Sequence, residues 1–196
     1  YKRAVMPRQD KVAVNAPSIA LIGMMGVGKT TIGRRLAKRL EREFYDSDEE
    51  IETASGRTVS GYFKDHGETE FRAGEKRVIS RLVNPNIKKA PIILATGGGA
   101  FTHEATRKVL LEHSLTIWLY GDLDVIFERV SQNNKRPLLQ VADPRTKLKE
   151  LIEERHPLYA LAHIHVPIAK GPHIRTVNRV MRAITRYQSK PNKTNS

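Results

Sequence analysis

Short apolar runs alternate with longer amphipathic stretches along most of the chain. The runs are rich in Ile, Leu and Val, which is typical of strands buried on both faces of a sheet. The stretches between them carry apolar residues at helical spacing. This alternation predicts an α/β fold with a parallel sheet covered by helices. The predicted strands are 18–22, 43–45, 92–95, 115–119 and 165–168, and the predicted helices are 29–42, 48–54, 58–65, 68–83, 102–112, 123–132, 145–161 and 176–187.

The chain of 196 residues suits a single domain with one core, expected over residues 17–188. Residues 1–16 are predicted to form a disordered leader and residues 189–196 a disordered tail. Residues 133–143 lack apolar periodicity, so they are predicted to form a mobile loop.

The net charge of +13 makes nucleic-acid binding a candidate function, but the charge is unevenly distributed. Residues 170–196 carry a net +7 without any acid, and residues 1–16 carry a net +3. The remaining +3 is spread over residues 17–169, as suits an enzyme for small anionic ligands. The absence of cysteine excludes a disulfide framework and a thiolate metal site. No apolar run approaches 18 residues, so no membrane partner and a cytoplasmic location are expected.

Residues 23–30 read Gly-Met-Met-Gly-Val-Gly-Lys-Thr and match the P-loop pattern G-x-x-x-x-G-K-[ST]. The preceding apolar run and the following helical pattern are the context that this motif requires. Its glycines allow a tight curl whose N–H groups face an anion, next to the positive end of a helix. Lys29 is expected to reach the β- and γ-phosphates, and the Thr30 hydroxyl to ligate Mg²⁺. The expected nucleotide-binding residues are Gly23, Gly26, Val27, Gly28, Lys29, Thr30 and Thr31.

Among P-loop proteins, the rest of the chain favours a small-molecule kinase. A GTP switch needs Asn-Lys-x-Asp for guanine, but the nearest match, residues 134–137, ends in Pro137. A motor ATPase usually has adjacent acids at the end of a buried strand, whereas the third predicted strand ends in Ala-Thr-Gly-Gly-Gly. The second predicted strand instead ends in Asp46-Ser47-Asp48.

An ordered set of motifs resembles the shikimate kinase family over roughly residues 18–186. After the P-loop come Asp46-Ser47-Asp48, Phe63, Gly67-Glu68-x-x-Phe71-Arg72-x-x-Glu75, Gly97-Gly98-Gly99, Arg136-Pro137-Leu138-Leu139 and Arg155-x-x-x-Tyr159. The resemblance implies a P-loop kinase fold of nucleoside-monophosphate-kinase type, with a five-stranded parallel sheet of order 2-3-1-4-5. It also implies phosphorylation of the 3-hydroxyl of shikimate by ATP, a step of aromatic amino-acid biosynthesis. A monomer is expected.

By the same resemblance, the acceptor site is built from carboxylates and arginines on the substrate-binding helices of about residues 48–83 and beyond. Asp46 belongs to the Mg²⁺ shell through water, since Mg²⁺ dehydrates reluctantly. Asp48 accepts hydrogen bonds from substrate hydroxyls and is the best candidate for the general base, with helix capping as its alternative role. Arg72 and Arg155 clamp the substrate carboxylate. For both arginines, the alternative is a surface side chain paired with a glutamate.

Further roles follow from the resemblance. Phe63 and Phe71 pack on the substrate ring or belong to the core, and Glu75 orients Arg72. Gly97, Gly98 and Gly99 follow a strand at its carboxyl end, where such sheets bind ligands, and offer bare N–H donors or form a flexible turn. Arg136 lies in a lid of about residues 132–144 and brings positive charge to the transferring phosphoryl group on closure. Arg129 stacks on adenine.

Two alternatives stay open on the sequence alone. A related P-loop kinase could act on gluconate or a nucleoside monophosphate with the same loop and fold. A nucleotide-dependent nucleic-acid-binding module could use the basic last helix. The residue that accepts the substrate proton is also left open.

Overall fold

The computed structural model describes residues 17–131 and 141–189. The predicted leader, residues 1–16, lies outside the described residues. So do most of the predicted lid, including Arg136, and residues 190–196 of the predicted tail.

Five parallel strands form one sheet in the order β2-β3-β1-β4-β5, which confirms the expected fold class and strand order. In the central strand, Ala20 pairs with Leu94 on one side and with Thr116 on the other. Every residue of this strand is buried, so helices cover both faces of the sheet at its centre. The strands are β1 (Ser18–Ile22), β2 (Phe44–Asp46), β3 (Ile93–Ala95), β4 (Ser114–Tyr120) and β5 (Ile164–Pro167).

Seven helices are found among the described residues, and each begins close to a predicted start. The first packs against the last, and the third packs against the second and fourth. None of the described helices is both long and apolar enough to cross a membrane. The helices are α1 (Lys29–Leu40), α2 (Ser47–Ser55), α3 (Val59–Val83), α4 (Glu104–His113), α5 (Leu123–Ser131), α6 (Pro144–Tyr159) and α7 (His173–Gln188).

The two edge strands correct the prediction that all strands are buried on both faces. In β5, Ile164 and Val166 are buried whereas His165 and Pro167 are exposed. The residues of β2 are only partly buried. An edge strand has a neighbour on one side only, and the covering helices pack chiefly over the middle of the sheet. The alternation in β5 therefore reflects one covered face and one solvated face.

Helix α3 combines the two helices predicted on either side of residues 66–67. The backbone leaves helical geometry only at Gly67, with φ 77° and ψ 174°. Thr58 caps the first half by accepting a hydrogen bond from the Gly61 N–H at 3.1 Å. The second half carries Phe71, Arg72 and Glu75. The break at Gly67 therefore allows the second half of α3 to follow a different axis from the first half.

Candidate active site

A cleft of about 620 Å³ opens at the carboxyl ends of the central strands. Its walls come from the P-loop and the start of α1, the junction of β2 and α2, and the loop after β3. Parallel sheets bind ligands at this end because loops from different strands converge there. The lining residues are Met25, Gly26, Gly28, Lys29, Thr30, Thr31, Asp46, Asp48, Thr96, Gly97, Gly98, Arg129, Gly171 and His173.

The P-loop wraps around the side chain of its own lysine. Lys29 Nζ donates to the carbonyl oxygens of Gly23 at 2.7 Å and Met24 at 2.9 Å. Gly23, Gly26 and Gly28 all have positive φ, as the tight curl of the loop requires. Helix α1 begins at Lys29, so its positive N-terminal end lies in the cleft wall. These features together form an anion-binding cradle.

Thr30 and Asp46 bring two hard oxygen ligands together beside this cradle. Thr30 Oγ1 donates to Asp46 Oδ2 at 2.7 Å. No group of three or more His, Cys, Asp or Glu residues suited to a metal occurs in the described parts of the chain. Mg²⁺ keeps several waters and commonly takes phosphate oxygens together with one or two protein ligands. The Thr30–Asp46 pair fits such a mode of binding.

Asp46 also caps the N-terminus of helix α2. Its Oδ1 accepts a hydrogen bond from the Asp48 N–H at 3.1 Å, so Asp46 is the N-cap of α2. The capping role considered for Asp48 therefore belongs to Asp46. The side chain of Asp48 is left to line the cleft.

The Asp48 carboxylate lies against the backbone of Gly97. A Cβ atom on Gly97 would lie only 2.6 Å from Asp48 Oδ1, so a larger residue there would displace the carboxylate. Burial raises the pKa of Asp48, and the nearby charge of Asp46 raises it further. Lys29 and Arg72 act in the opposite direction. Asp48 is therefore an acid-base candidate whose pKa is shifted towards neutrality.

Arg72 passes over Gly99 and is held by a buried glutamate. A Cβ atom on Gly99 would lie 2.5 Å from Arg72 Nη2. Arg72 Nη1 donates to Glu75 Oε2 at 2.8 Å, and the Glu75 side chain is only 1% exposed. Burial raises the pKa of Glu75, while the Arg72 charge opposes that shift. The expected orienting pair of Arg72 and Glu75 is present.

The two phenylalanines differ in accessibility. Phe71 is 2% exposed and stacks on Phe63 with ring centroids 4.1 Å apart. The Arg72 guanidinium lies 5.3 Å from the Phe71 centroid and 5.7 Å from that of Phe63. Phe71 therefore serves as the buried support of this stack, and Phe63 is the partly exposed ring.

Arg155 lies against the same triglycine loop as Arg72. A Cβ atom on Gly98 would lie 3.7 Å from Arg155 Nη1. Arg155 and Arg72 thus approach the same short loop from α6 and α3. The expectation that all three glycines offer bare N–H donors is wrong for Gly97, because its N–H donates to Ser47 Oγ at 2.9 Å.

Arg129 borders the cleft next to the P-loop. Its Nη2 donates to the Ala169 carbonyl at 2.9 Å, and its Nη1 lies 3.5 Å from the Val27 carbonyl.

His173, which sequence reasoning missed, packs beside Gly28, where a Cβ atom would lie 2.9 Å from the imidazole Cε1. The dipeptide Gly171-Pro172 could have signalled that α7 begins here, three residues before its predicted start.

The P-loop, the sheet order and the adjoining acid and arginine groups define a P-loop phosphotransferase of the small-molecule kinase type. Residues 25–185 match the family model described as shikimate kinase. The chain belongs to the shikimate kinase family.

Relatives and solved structures agree with this assignment. The chain is 50% identical to shikimate kinase of Zymomonas mobilis over 169 residues, which is 86% of this chain and 94% of that protein. It is 41% identical to shikimate kinase of Bartonella quintana over 186 residues, 95% of this chain and 84% of the relative. The structure of Acinetobacter baumannii shikimate kinase in complex with shikimate superimposes with a TM-score of 0.83 at 37% identity, covering 92% of this chain and 99% of that one.

A gluconokinase structure from Sinorhizobium meliloti has a TM-score of 0.55 at 18% identity, covering 87% of this chain and 92% of that chain. That similarity shows a shared fold only. Membership of the shikimate kinase family therefore favours a shikimate kinase over the related kinase for gluconate or a nucleoside monophosphate that the sequence left open.

Proposed function

We propose that the protein transfers the γ-phosphoryl group of ATP to the 3-hydroxyl of shikimate, giving shikimate 3-phosphate and ADP. The observation that carries this proposal is one cleft shared by the P-loop and Asp48, with two arginines at the triglycine loop on its wall. The P-loop suits a triphosphate, and Asp48 with the two arginines suits a small hydroxylated acid. The reaction belongs to aromatic amino-acid biosynthesis.

The donor half of the cleft is the P-loop. Backbone N–H groups and the N-terminal end of α1 favour the phosphates of ATP. Lys29, held by the Gly23 and Met24 carbonyls, supplies a positive charge within this cradle. Mg²⁺ would be held by Thr30 and, directly or through water, by Asp46, and would neutralise charge on the phosphate oxygens.

We assign the acceptor half to Asp48, which lines the cleft, and to Arg72 and Arg155, which lie against the triglycine loop. A guanidinium is always charged and matches a carboxylate with two parallel hydrogen bonds, so the arginines are suited to the shikimate carboxylate. Asp48 accepts hydrogen bonds from the substrate hydroxyls. Its raised pKa lies closer to the working pH than the ordinary pKa of aspartate does, and this makes Asp48 a better general base for the hydroxyl proton.

Several expectations from the sequence stay predictions. They are the lid role of Arg136, which lies outside the described residues, and the stacking of Arg129 on adenine. The monomeric state and the cytoplasmic location also stay predictions.

The proposal is tested by identifying the product. Purified protein is incubated with ATP, Mg²⁺ and shikimate, and the product is analysed by ³¹P and ¹H NMR. A phosphate monoester on the 3-hydroxyl is expected, and the Lys29→Ala variant should form almost none. Phosphate on another hydroxyl, or inorganic phosphate alone, would contradict the proposal.

A further inference from the structure

Tyr159 places a hydroxyl group in the interior, directly behind the triglycine loop. It is the last residue of α6, and its side chain is fully buried. The hydroxyl donates to the carbonyl oxygen of Gly98 and lies 3.8 Å from the sulfur of Met24 in the P-loop. A buried hydroxyl keeps such a bond because leaving its partner unpaired is costly.

Ser47, on helix α2, also bonds this loop. Its side chain is fully buried between Asp46 and Asp48 at the start of α2. Its Oγ accepts the hydrogen bond from the Gly97 N–H at 2.9 Å. Buried hydroxyl groups on two different helices therefore bond the backbone of adjacent glycines, at the Gly98 carbonyl and the Gly97 N–H.

Among the described residues, the two remaining carbonyl groups of the loop are used internally, whereas two of its N–H groups are not. The Gly97 carbonyl accepts from the Ala100 N–H at 3.2 Å. The Gly99 carbonyl accepts from the N–H of Thr102 at 3.2 Å and from its hydroxyl at 2.7 Å. Within residues 17–131 and 141–189, no acceptor is found for the N–H groups of Gly98 and Gly99.

We propose that Tyr159 and Ser47 are positioning residues that fix the triglycine loop for the phosphoryl acceptor. Three consecutive glycines have more backbone freedom than any other tripeptide, and ordering them costs more entropy. The two hydroxyl bonds hold the loop in one conformation, in which the N–H groups of Gly98 and Gly99 remain available to the acceptor. This inference deepens the proposed function and rests on it for the identity of the acceptor.

The same two residues also set the loop relative to the charged groups of the site. Arg155 lies one helical turn before Tyr159 on α6, and Asp48 directly follows Ser47 on α2. The Tyr159 bond therefore links the helix of the carboxylate-binding arginine to the loop. The Ser47 bond links the helix of the acid-base candidate to it. Loss of either bond should disturb the acceptor half more than the P-loop, which the Tyr159 hydroxyl contacts only through the Met24 sulfur at 3.8 Å.

The test removes one oxygen atom, in the variant Tyr159→Phe. The matched control is Ser114→Ala, which also removes a buried hydroxyl donor, since Ser114 Oγ donates to the Leu110 carbonyl at 2.6 Å. Ser114 lies at the amino end of β4, away from the cleft. Both variants should lower Tm. Only Tyr159→Phe should lower kcat/KM for shikimate, by at least about ten-fold, because the variant loses the bond to the Gly98 carbonyl and the hydrogen bond between the Tyr159 hydroxyl and Arg155. The change in the KM for ATP should be much smaller.

Hydrogen exchange at the Gly97 amide gives a readout that does not depend on the acceptor. Tyr159 does not bond this amide, so faster exchange in Tyr159→Phe would report a loosened loop. Exchange should be unchanged in Ser114→Ala. The variant Ser47→Ala should lower kcat/KM for shikimate in the same way as Tyr159→Phe.

Unchanged shikimate kinetics together with unchanged Gly97 exchange in Tyr159→Phe would overturn the inference. An equal change in the KM values for ATP and shikimate would also overturn it, because a general structural defect would produce that pattern. A wild-type protein without activity on shikimate would instead refute the proposed function, and the exchange measurement would then decide the positioning role by itself.

Discussion

At the scale of single residues, Asp48 is placed where its charge is unfavourable. Burial and the neighbouring Asp46 raise its pKa in the folded protein. A carboxyl group whose folded-state pKa exceeds its unfolded-state value favours folding below the unfolded pKa, and this contribution is lost as the pH rises through the folded pKa. The ionised Asp48 therefore destabilises the protein at neutral pH. Such a cost is common at active sites, where function limits stability.

The variant Asp48→Asn should separate these two effects. Turnover should fall by about 10²–10⁴-fold, because a general base is lost. The free energy of unfolding at pH 7 should rise, and this gain should shrink as the pH falls towards the ordinary pKa of aspartate, about 3.9. Steady-state kinetics and thermal melts over pH check both parts. Glu49→Gln is the control, because Glu49 is the exposed neighbour paired with Arg34, and wild-type turnover in Asp48→Asn would contradict the proposed role.

The variant Arg72→Lys tests whether shape as well as charge matters in the acceptor pocket. Lysine keeps the positive charge but loses the planar fork and the stacking on Phe63 and Phe71. The KM for shikimate should rise by about 10–100-fold, as for a lost charged hydrogen bond, with little change in the KM for ATP. The control Arg77→Lys changes an exposed arginine on the same helix. Equal effects of the two substitutions would refute the carboxylate role of Arg72.

At the scale of elements, the break in α3 rests on a conformation that only glycine adopts readily. Gly67 has φ 77° and ψ 174°, and a Cβ atom there would meet no other atom within 4 Å. The obstacle to a side chain is therefore backbone strain and not space. Gly74, in the helical second half, would place a Cβ atom in ordinary contact with the Tyr62 hydroxyl at 3.4 Å.

The same substitution should therefore have opposite effects at these two glycines. Gly67→Ala should destabilise the protein by about 1–3 kcal/mol. Gly74→Ala should stabilise it by about 0.5–1 kcal/mol, because alanine is the better helix former. Urea unfolding of both variants measures the difference. Similar changes of the same sign would contradict the backbone argument.

The sequence predicted best those elements whose signals are local. The P-loop, β1 and α1 follow one another directly in the chain, so one motif and its flanks define them. The burial of β5 was mispredicted because its short apolar run does not reveal that it is an edge strand. The bonds that fix the triglycine loop join residues 50 and 61 positions apart, and no local pattern indicates such pairs. The strand order was available only through the resemblance to a family.

At the scale of the whole molecule, the last helix carries four arginines and no acidic residue. Helix α7 buries one apolar side and exposes Arg175, Arg182 and Arg186, none of which has a carboxylate partner among the described residues. We interpret this face as a solvated surface. A nucleic-acid-binding module would instead depend on it.

Replacing Arg175, Arg182 and Arg186 together by glutamine should separate these interpretations. Turnover and unfolding free energy should change little, within about 0.5 kcal/mol per site, as is usual for surface positions. The kinase assay and a thermal melt check this. Nanomolar, salt-dependent binding of an oligonucleotide by the wild type that disappears in the triple variant would contradict the interpretation.

We infer that one cleft joins an ATP-binding loop to a pocket for shikimate. The most direct test measures ADP release with Mg²⁺ and ATP on a panel of shikimate, gluconate and a nucleoside monophosphate. We predict Mg²⁺-dependent ADP release with shikimate, at a kcat/KM at least about 100-fold above that for the other two acceptors, because a polar pocket rejects poorly matched substrates. Equal or greater activity on gluconate or the nucleoside monophosphate would contradict the account.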